Sequence, residues 1–313
     1  MSLSQVQRDH WNDNGYLVVE SFFSETDVKV IEEALVRTWR LRPSNVTVDD
    51  LATGERLRAS QVTDEARKHN FKVNDIYLVD PEVRAVISSE RVVALTGELL
   101  EDQPVVCNTL NLERGSQQAD HLDTLYMTPR SDHGLVATWM ALEDTHADAG
   151  PLRYWPGSHR IEPFRFSNGS LHVADNEMSH WADYMASSVE SHGLAQQTFI
   201  AERGDLFIWN ALLLHGGSEI CNPNLTRNSL VTHFWSKSDC DAGSVLTRPT
   251  EGGAGFWMDR PSQPIPGEEM NSVEAELAER SAAETLIVAP RELAIRSTSL
   301  YERLRSLMGR PHH

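Results

Sequence analysis

The chain has 313 residues, room for one large domain or two small ones, and at this size it needs neither disulfides nor a structural metal to fold. Its 28 Lys and Arg against 46 Asp and Glu leave a formal charge of −18, which repels phosphate polymers and anionic lipid and argues against nucleic acid and membrane partners. With 40% hydrophobic and 24% charged residues, the composition is that of an ordinary globular protein and not of a disordered chain.

Residues 4 to 13 read as a short helix ending at the turn pair Asn14-Gly15, and the run Tyr16-Leu17-Val18-Val19 reads as a strand. Ser24-Glu25-Thr26-Asp27 carries a capping pattern. Val28, Ile31, Leu35 and Trp39 then recur at helical spacing, which predicts a helix to about Arg40, stopped by Pro43. From Pro43 to Asn70 periodicity fades, and the stretch of about 43–75 is expected to cross the surface as a lid over an active site. Pro81 to Leu100 returns to helix in two segments split near Ser88-Ser89-Glu90.

Between Pro104 and Trp235, short apolar runs such as Val105-Val106-Cys107, Leu135 to Trp139, Phe199-Ile200 and Leu230 to Trp235 are bounded by Gly, Pro, Asn and Asp. No helical pattern of the βαβ type separates them, so they predict an antiparallel sandwich or barrel. A Gly/Pro-rich loop to about Gly267 precedes two helical patterns, roughly 271–286 and 290–308, which offer a surface for packing on the sandwich or for a homodimer contact. The three cysteines, Cys107, Cys221 and Cys240, make no C-x-x-C pair, and no apolar leader opens the sequence, so a cytoplasmic location is expected.

The phosphate-binding G-x-x-x-x-G-K-[ST] and G-x-G-x-x-G strings, the hydrolase G-x-S-x-G and the zincin H-E-x-x-H are all absent from the sequence. What stands out is His121-Leu122-Asp123. In extended chain, residues i and i+2 project from one face, so an imidazole and a carboxylate can grip one metal ion together. His215 is the best third ligand, because it leaves the apolar run Leu212-Leu213-Leu214 toward Gly216-Gly217, where low backbone bulk lets a ligand approach. Two imidazoles and one carboxylate are the facial triad of non-heme Fe(II) oxygenases, which keeps sites open for a chelating cosubstrate and O2. Arg227 follows His215 by twelve residues. Its guanidinium suits the distal carboxylate of 2-oxoglutarate, through two parallel hydrogen bonds.

With these residues in place, the sequence resembles the phytanoyl-CoA dioxygenase family of iron- and 2-oxoglutarate-dependent oxygenases over about residues 8–236. The motifs that carry the resemblance run in order: Asn14-Gly15-Tyr16-Leu17-Val18-Val19, His121-Leu122-Asp123, the string Gly150-Pro151-Leu152-Arg153-Tyr154-Trp155-Pro156-Gly157-Ser158-His159-Arg160, Gly204-Asp205-Leu206, His215-Gly216-Gly217-Ser218, and Arg227 with the strand after it. The resemblance implies a mainly β fold with flanking helices: a double-stranded β-helix (jelly-roll, cupin-like) core at 104–236 with α+β decoration. The whole is then a single catalytic domain over 1–313, with a helical part at 1–103 and a loop and helices at 237–313. It further implies His121, Asp123 and His215 as metal ligands, Arg227 as the 2-oxoglutarate anchor, and Trp139 and Ser218 beside that cosubstrate. Two departures stand out. The His215 to Arg227 segment holds an extra residue near Gly216-Gly217, and Leu122 replaces a polar residue common in relatives.

The implied activity is that of a dioxygenase using Fe(II), 2-oxoglutarate and O2 to hydroxylate an unactivated C–H bond of a small-molecule metabolite, releasing succinate and CO2. Desaturation, epimerisation and ring formation in natural-product biosynthesis begin with the same hydrogen abstraction and stay open. Asp123 argues against halogenation, where relatives carry a small residue instead. A non-catalytic jelly-roll binding module and a hydrolytic zinc enzyme are the competing readings. His159 reads as a residue that fixes a loop, and His133, His146, His172, His180 and His192 fall in loop-like polar contexts and read as solvated. Tyr126, Arg130, Arg153 and Tyr154, with Arg56 and Arg58 of the lid, are the candidate substrate contacts, because positive charge in an acidic chain suits a carboxylate or phosphate.

Overall fold

The first helix is fixed at both ends by its own sequence. Ser4 and Gln7 cap each other reciprocally, and Gly15, at φ +78°, closes the helix by donating its N–H to Trp11 O. The computed structural model describes residues 2–131, 133–174 and 176–267. In chain order the elements are α1 (Gln5–Asn14), β1 (Tyr16–Val19), α2 (Glu25–Leu41), β2 (Thr47–Asp50), β3 (Arg56–Arg58), β4 (Phe71–Asn74), α3 (Pro81–Ile87), α4 (Glu90–Leu100), β5 (Pro104–Leu112), β6 (Leu135–Ala141) and β7 (Leu152–Tyr154). They continue with α5 (Met178–Ser191), β8 (Gln197–Phe199), β9 (Leu206–Asn210), β10 (His215–Gly217), β11 (Ser229–Ser236), α6 (Lys237–Ala242), β12 (Thr247–Pro249) and β13 (Phe256–Met258).

One sheet runs β1-β9-β6-β11-β5-β4-β2-β3, with β13 added parallel to β5 and β12 paired to β13; a second, three-stranded sheet runs β10-β7-β8. Side chains alternate across the large sheet, so each strand feeds two cores. One face carries Val48, Val73, Val106, Met140, Ile208 and Phe234 against Val28, Ile31 and Leu35 of α2 and Val92 and Leu95 of α4. The other face carries Ala137, Trp139, Phe207 and Trp209 against Leu152, Tyr154 and Phe199 of the small sheet. The result is the expected mainly β architecture, two facing antiparallel sheets with helices banked on the outside.

Two expectations are corrected. The stretch of about 43–75 is not a surface lid but supplies β2, β3 and β4 to the large sheet, with Val46, Val48, Phe71 and Val73 fully buried. Its polarity misleads because the charges answer one another across strands: Asp49 takes Arg56 at 2.6 Å and Lys72 at 3.0 Å, and both are its ladder partners. The region of His180 and His192, read as loop, is instead α5 and its C-cap. This helix buries Trp181, Met185 and Ser188 on one face. Residues Met1–Ile265 form one compact unit and a second begins at Pro266. The helical patterns at 271–286 and 290–308, and the homodimer contact assigned to them, lie outside the described residues.

Candidate metal centre

His215 opens β10, and its neighbours are set by the Pro156-Gly157-Ser158-His159 turn. Ser158 Oγ accepts from Leu214 N at 2.8 Å, Trp155 N donates to Leu214 O at 3.0 Å, and Gly157 N ties the turn to Asn14 O at 2.9 Å. His159 meets Asn12 O through Nε2 at 3.1 Å and covers Gly15, where a Cβ would stand 2.4 Å from its Nδ1. The motif therefore docks the turn on the end of α1 and aims the residue before His215.

His121 pairs with His215 directly. His121 N donates to His215 O at 2.9 Å and His215 N returns to His121 O at 3.1 Å, an antiparallel bridge outside the named strands. Leu122 is extended and buried with Leu125, Leu212 and Leu214, and Asp123 follows at the start of a 3-10 turn, its N–H donating to Ala211 O at 3.2 Å. One ligand atom from each of His121, Asp123 and His215 lies within 4.8 Å of the others, and all three residues are buried.

Tautomers are fixed from behind. His121 Nδ1 meets Ala119 O at 2.8 Å and His215 Nδ1 meets Leu213 O at 2.9 Å. A carbonyl can only accept, so both rings carry a proton on Nδ1 and turn Nε2 to Asp123 Oδ1, at 3.9 and 3.6 Å. Trp209 Nε1 donates to Asp123 Oδ2 at 2.9 Å, which leaves Oδ1 facing the imidazoles. Burial, then His215, lowers His121 to about 3, so it is neutral at physiological pH. Burial raises Asp123, but the facing imidazoles, His215 first, outweigh it and hold the carboxyl below its usual range. Two imidazole nitrogens and one carboxylate oxygen are a donor set that iron(II) accepts.

Arg227 is 3% exposed. Its Nη1 donates to Gly150 O at 2.9 Å, its Cζ lies 5.5 Å from the Trp139 ring centre, and its Nε has no partner. Among the described residues no carboxylate pairs with it. Burial brings its guanidinium down to about 10, and it stays charged at neutral pH. Trp139 Nε1 is a second buried donor without a partner. A buried cation and an idle donor side by side are unfavourable unless an acceptor completes them, and a carboxylate does so. Ser218 is half-buried, and its carbonyl abuts Gly150, which accepts from Arg227.

The other expected contacts separate. Tyr126 is 50% exposed with its ring 5.8 Å from that of His121, and Arg130 is exposed. Arg153 and Tyr154 are committed elsewhere, against expectation: Arg153 bonds Asp120 and Gly217 O, both at 2.6 Å, and the Tyr154 hydroxyl donates to Gln197 at 3.1 Å within an aromatic cluster with Tyr16 and Phe207. Arg56 and Arg58 are likewise engaged, Arg56 with Asp49 and Arg58 with Thr47 and Ser262. Gly216 and Gly217 give room to the neighbouring chain at 116–120. A Cβ on Gly216 would lie 2.6 Å from Asp120 Oδ1, and one on Gly217 would lie 2.7 Å from Gln117 N. His233, in mid-strand β11, is a neighbour that spacing did not single out; its Nε2 lies 3.5 Å from Asp123 Oδ1.

A family model for phytanoyl-CoA dioxygenase (PhyH) matches residues 11–229. The peroxisomal phytanoyl-CoA dioxygenase of Mus musculus is 25% identical over 255 residues, covering 78% of this chain and 71% of its own. Among solved structures, the non-heme α-ketoglutarate-dependent carbocyclase SnoK from nogalamycin biosynthesis superposes with a TM-score of 0.56 at 14% identity, over 85% of this chain and 94% of that one. EctD from S. alaskensis with bound Fe gives 0.55 at 17% identity, over 83% and 88%. These likenesses establish the cupin-like double-stranded β-helix. The family match spans the elements that carry His121, Asp123, His215 and Arg227, and on that evidence the chain belongs to the phytanoyl-CoA dioxygenase family.

Proposed function

We propose that the protein is an Fe(II)- and 2-oxoglutarate-dependent dioxygenase that hydroxylates an unactivated C–H bond of a small-molecule metabolite. One observation carries the reading: a buried His-Asp-His cluster, together with a buried guanidinium at Arg227 that no carboxylate among the described residues pairs. His121, Asp123 and His215 would hold the iron, which supplies activation of O2 and oxidation of the C–H bond, with 2-oxoglutarate leaving as succinate and CO2. The chain's own work is positioning. Ala119 O and Leu213 O keep the imidazoles in the ligating tautomer, and Trp209 keeps one carboxylate oxygen turned inward. Arg227 anchors the distal carboxylate of 2-oxoglutarate, with Trp139 against its guanidinium and Ser218 beside Gly150.

The three cysteines are free thiols, which supports a reducing compartment, and we assign the cytoplasm. No described helix is long and apolar enough to cross a membrane. The test is succinate release from 2-oxoglutarate with Fe(II) under air, followed by mass spectrometry across a metabolite library. A gain of one oxygen marks hydroxylation, a loss of two hydrogens marks desaturation or ring formation, and no mass change marks epimerisation. No succinate under air, or equal turnover without O2, sinks the proposal.

A further inference from the structure

β10 is three residues long, yet it carries one metal ligand and is joined to another. On one edge it ladders with β7, which sets Arg153 opposite Gly216. On the other edge runs irregular chain: Gly217 N donates to Gln118 O at 2.9 Å, and next to it stands the reciprocal pair between His121 and His215. A short strand and a loop make a weak frame for two ligands, because segments with few interactions open locally.

Arg153 spans this frame. Its side chain crosses β10 at Gly216 and binds both ligand-bearing chains at once: Nε donates to Asp120 Oδ1 at 2.6 Å, and Nη1 donates to Gly217 O at 2.6 Å. Asp120 immediately precedes His121, and Gly217 lies two residues after His215. On the far side of Asp120, Ala119 supplies the carbonyl that meets His121 Nδ1 at 2.8 Å, so an anchor on Asp120 also steadies that carbonyl.

The crossing requires a residue without a side chain. A Cβ on Gly216 would lie 2.6 Å from Asp120 Oδ1 and 3.3 Å from Arg153 Nη2. Gly216 thus stands where the sequence departs from the family pattern, and the room it leaves is filled by an ion pair. Arg153 and Asp120 are both half-buried, which shields the pair from water. A guanidinium is suited to the task because its separate nitrogens can donate to two chains, whereas an ammonium is a single point.

We propose that Arg153 is a positioning residue for the metal centre: with Asp120 and Gly216 it forms a clamp that holds the chains bearing His121 and His215 together. The inference rests on the metal centre of the oxygenase reading and on no particular substrate.

The test reads the clamp with and without metal. In the metal-free protein, amide hydrogen exchange at His121 and His215, followed by NMR, should quicken by about fivefold or more in Arg153→Met, while amides of β6 and β9 keep the parent's rates. Release of Co(II) to a chelator should quicken by a similar factor, with part recovered in Arg153→Lys. Gly216→Ala, which keeps Arg153 but displaces the Asp120 carboxylate, should reproduce both effects, and Asp120→Asn should fall between it and the parent. These two variants carry the comparison if Arg153→Met does not fold. Exchange and Co(II) release equal to the parent's overturn the inference. So does a quickening shared equally by β6 and β9, which marks a general loss of stability. A parent that takes up no Co(II) overturns the metal centre and this inference with it, whereas normal uptake with unaffected variants overturns this inference alone.

Discussion

The Trp209 indole donates to Asp123 Oδ2 at 2.9 Å, and this contact decides which oxygen the carboxylate presents to the imidazoles. Removing such an outer hydrogen bond costs about 10–100-fold in metal affinity, because the ligand can then rotate. Trp209→Phe keeps the aromatic contact with Phe207 and His215, so the fold should survive while Co(II) binding, followed by its visible absorption, weakens by about that factor. Unchanged affinity would remove Trp209 from the positioning role.

Arg227 makes opposite predictions for activity and stability. Arg227→Met should raise KM for 2-oxoglutarate by about 10–100-fold, the loss of one charge-assisted contact of roughly 1.5–3 kcal/mol. The same substitution removes a buried cation that no carboxylate among the described residues pairs, and replacing buried charge by an apolar side chain is often neutral or stabilising. The metal-free variant should therefore melt no lower than the parent in a thermal scan, despite its defect in turnover.

Acid should weaken the metal-free protein through His121. Burial, then His215, lowers its folded value to about 3 against 6.5 for a free imidazole, so below pH 6.5 the unfolded chain takes up a proton that the folded one refuses. The stability present above pH 6.5 is lost as pH falls from there toward 3. Melting temperature against pH should show this loss, and His121→Asn should flatten the part between pH 6.5 and 4.

Thiol reactivity should divide the cysteines. Burial pushes Cys107 far up and Cys240 to about 11, so neither forms thiolate at pH 8, and both are inaccessible. Cys221 is exposed. Iodoacetamide should add once to the folded protein and three times after denaturation, read by intact mass.

Gly204 sits at φ +89°, and a Cβ there would stand 2.7 Å from Phe23 O. Gly204→Ala combines a disfavoured backbone with that clash, and a cost of about 1–3 kcal/mol is expected. The melting temperature should fall by about 2–4 °C per kcal/mol.

The sequence made the metal cluster legible because chelation leaves a short signature. His121-Leu122-Asp123 needs only extended chain to converge, and Arg227 is defined by the anion it must meet. His233 carried no such mark. It is one of 13 histidines, and its place 3.5 Å from Asp123 depends on a mid-strand position far away in the chain. The strands at 47–74 were hidden because hydrophobic alternation was the signal sought, whereas Asp49, Arg56 and Lys72 complete one another across the sheet. Helix α5 was in principle readable, since Trp181, Met185 and Ser188 keep helical spacing, but its serines and histidines diluted the pattern.

The bridge that joins His121 to His215 ties a loop to a three-residue strand by two reciprocal backbone bonds. Breaking that pair would swing both rings away together. Escape of a captured ion is then governed by local breathing of this corner, and amide exchange at these two residues should keep pace with the rate at which one ion replaces another.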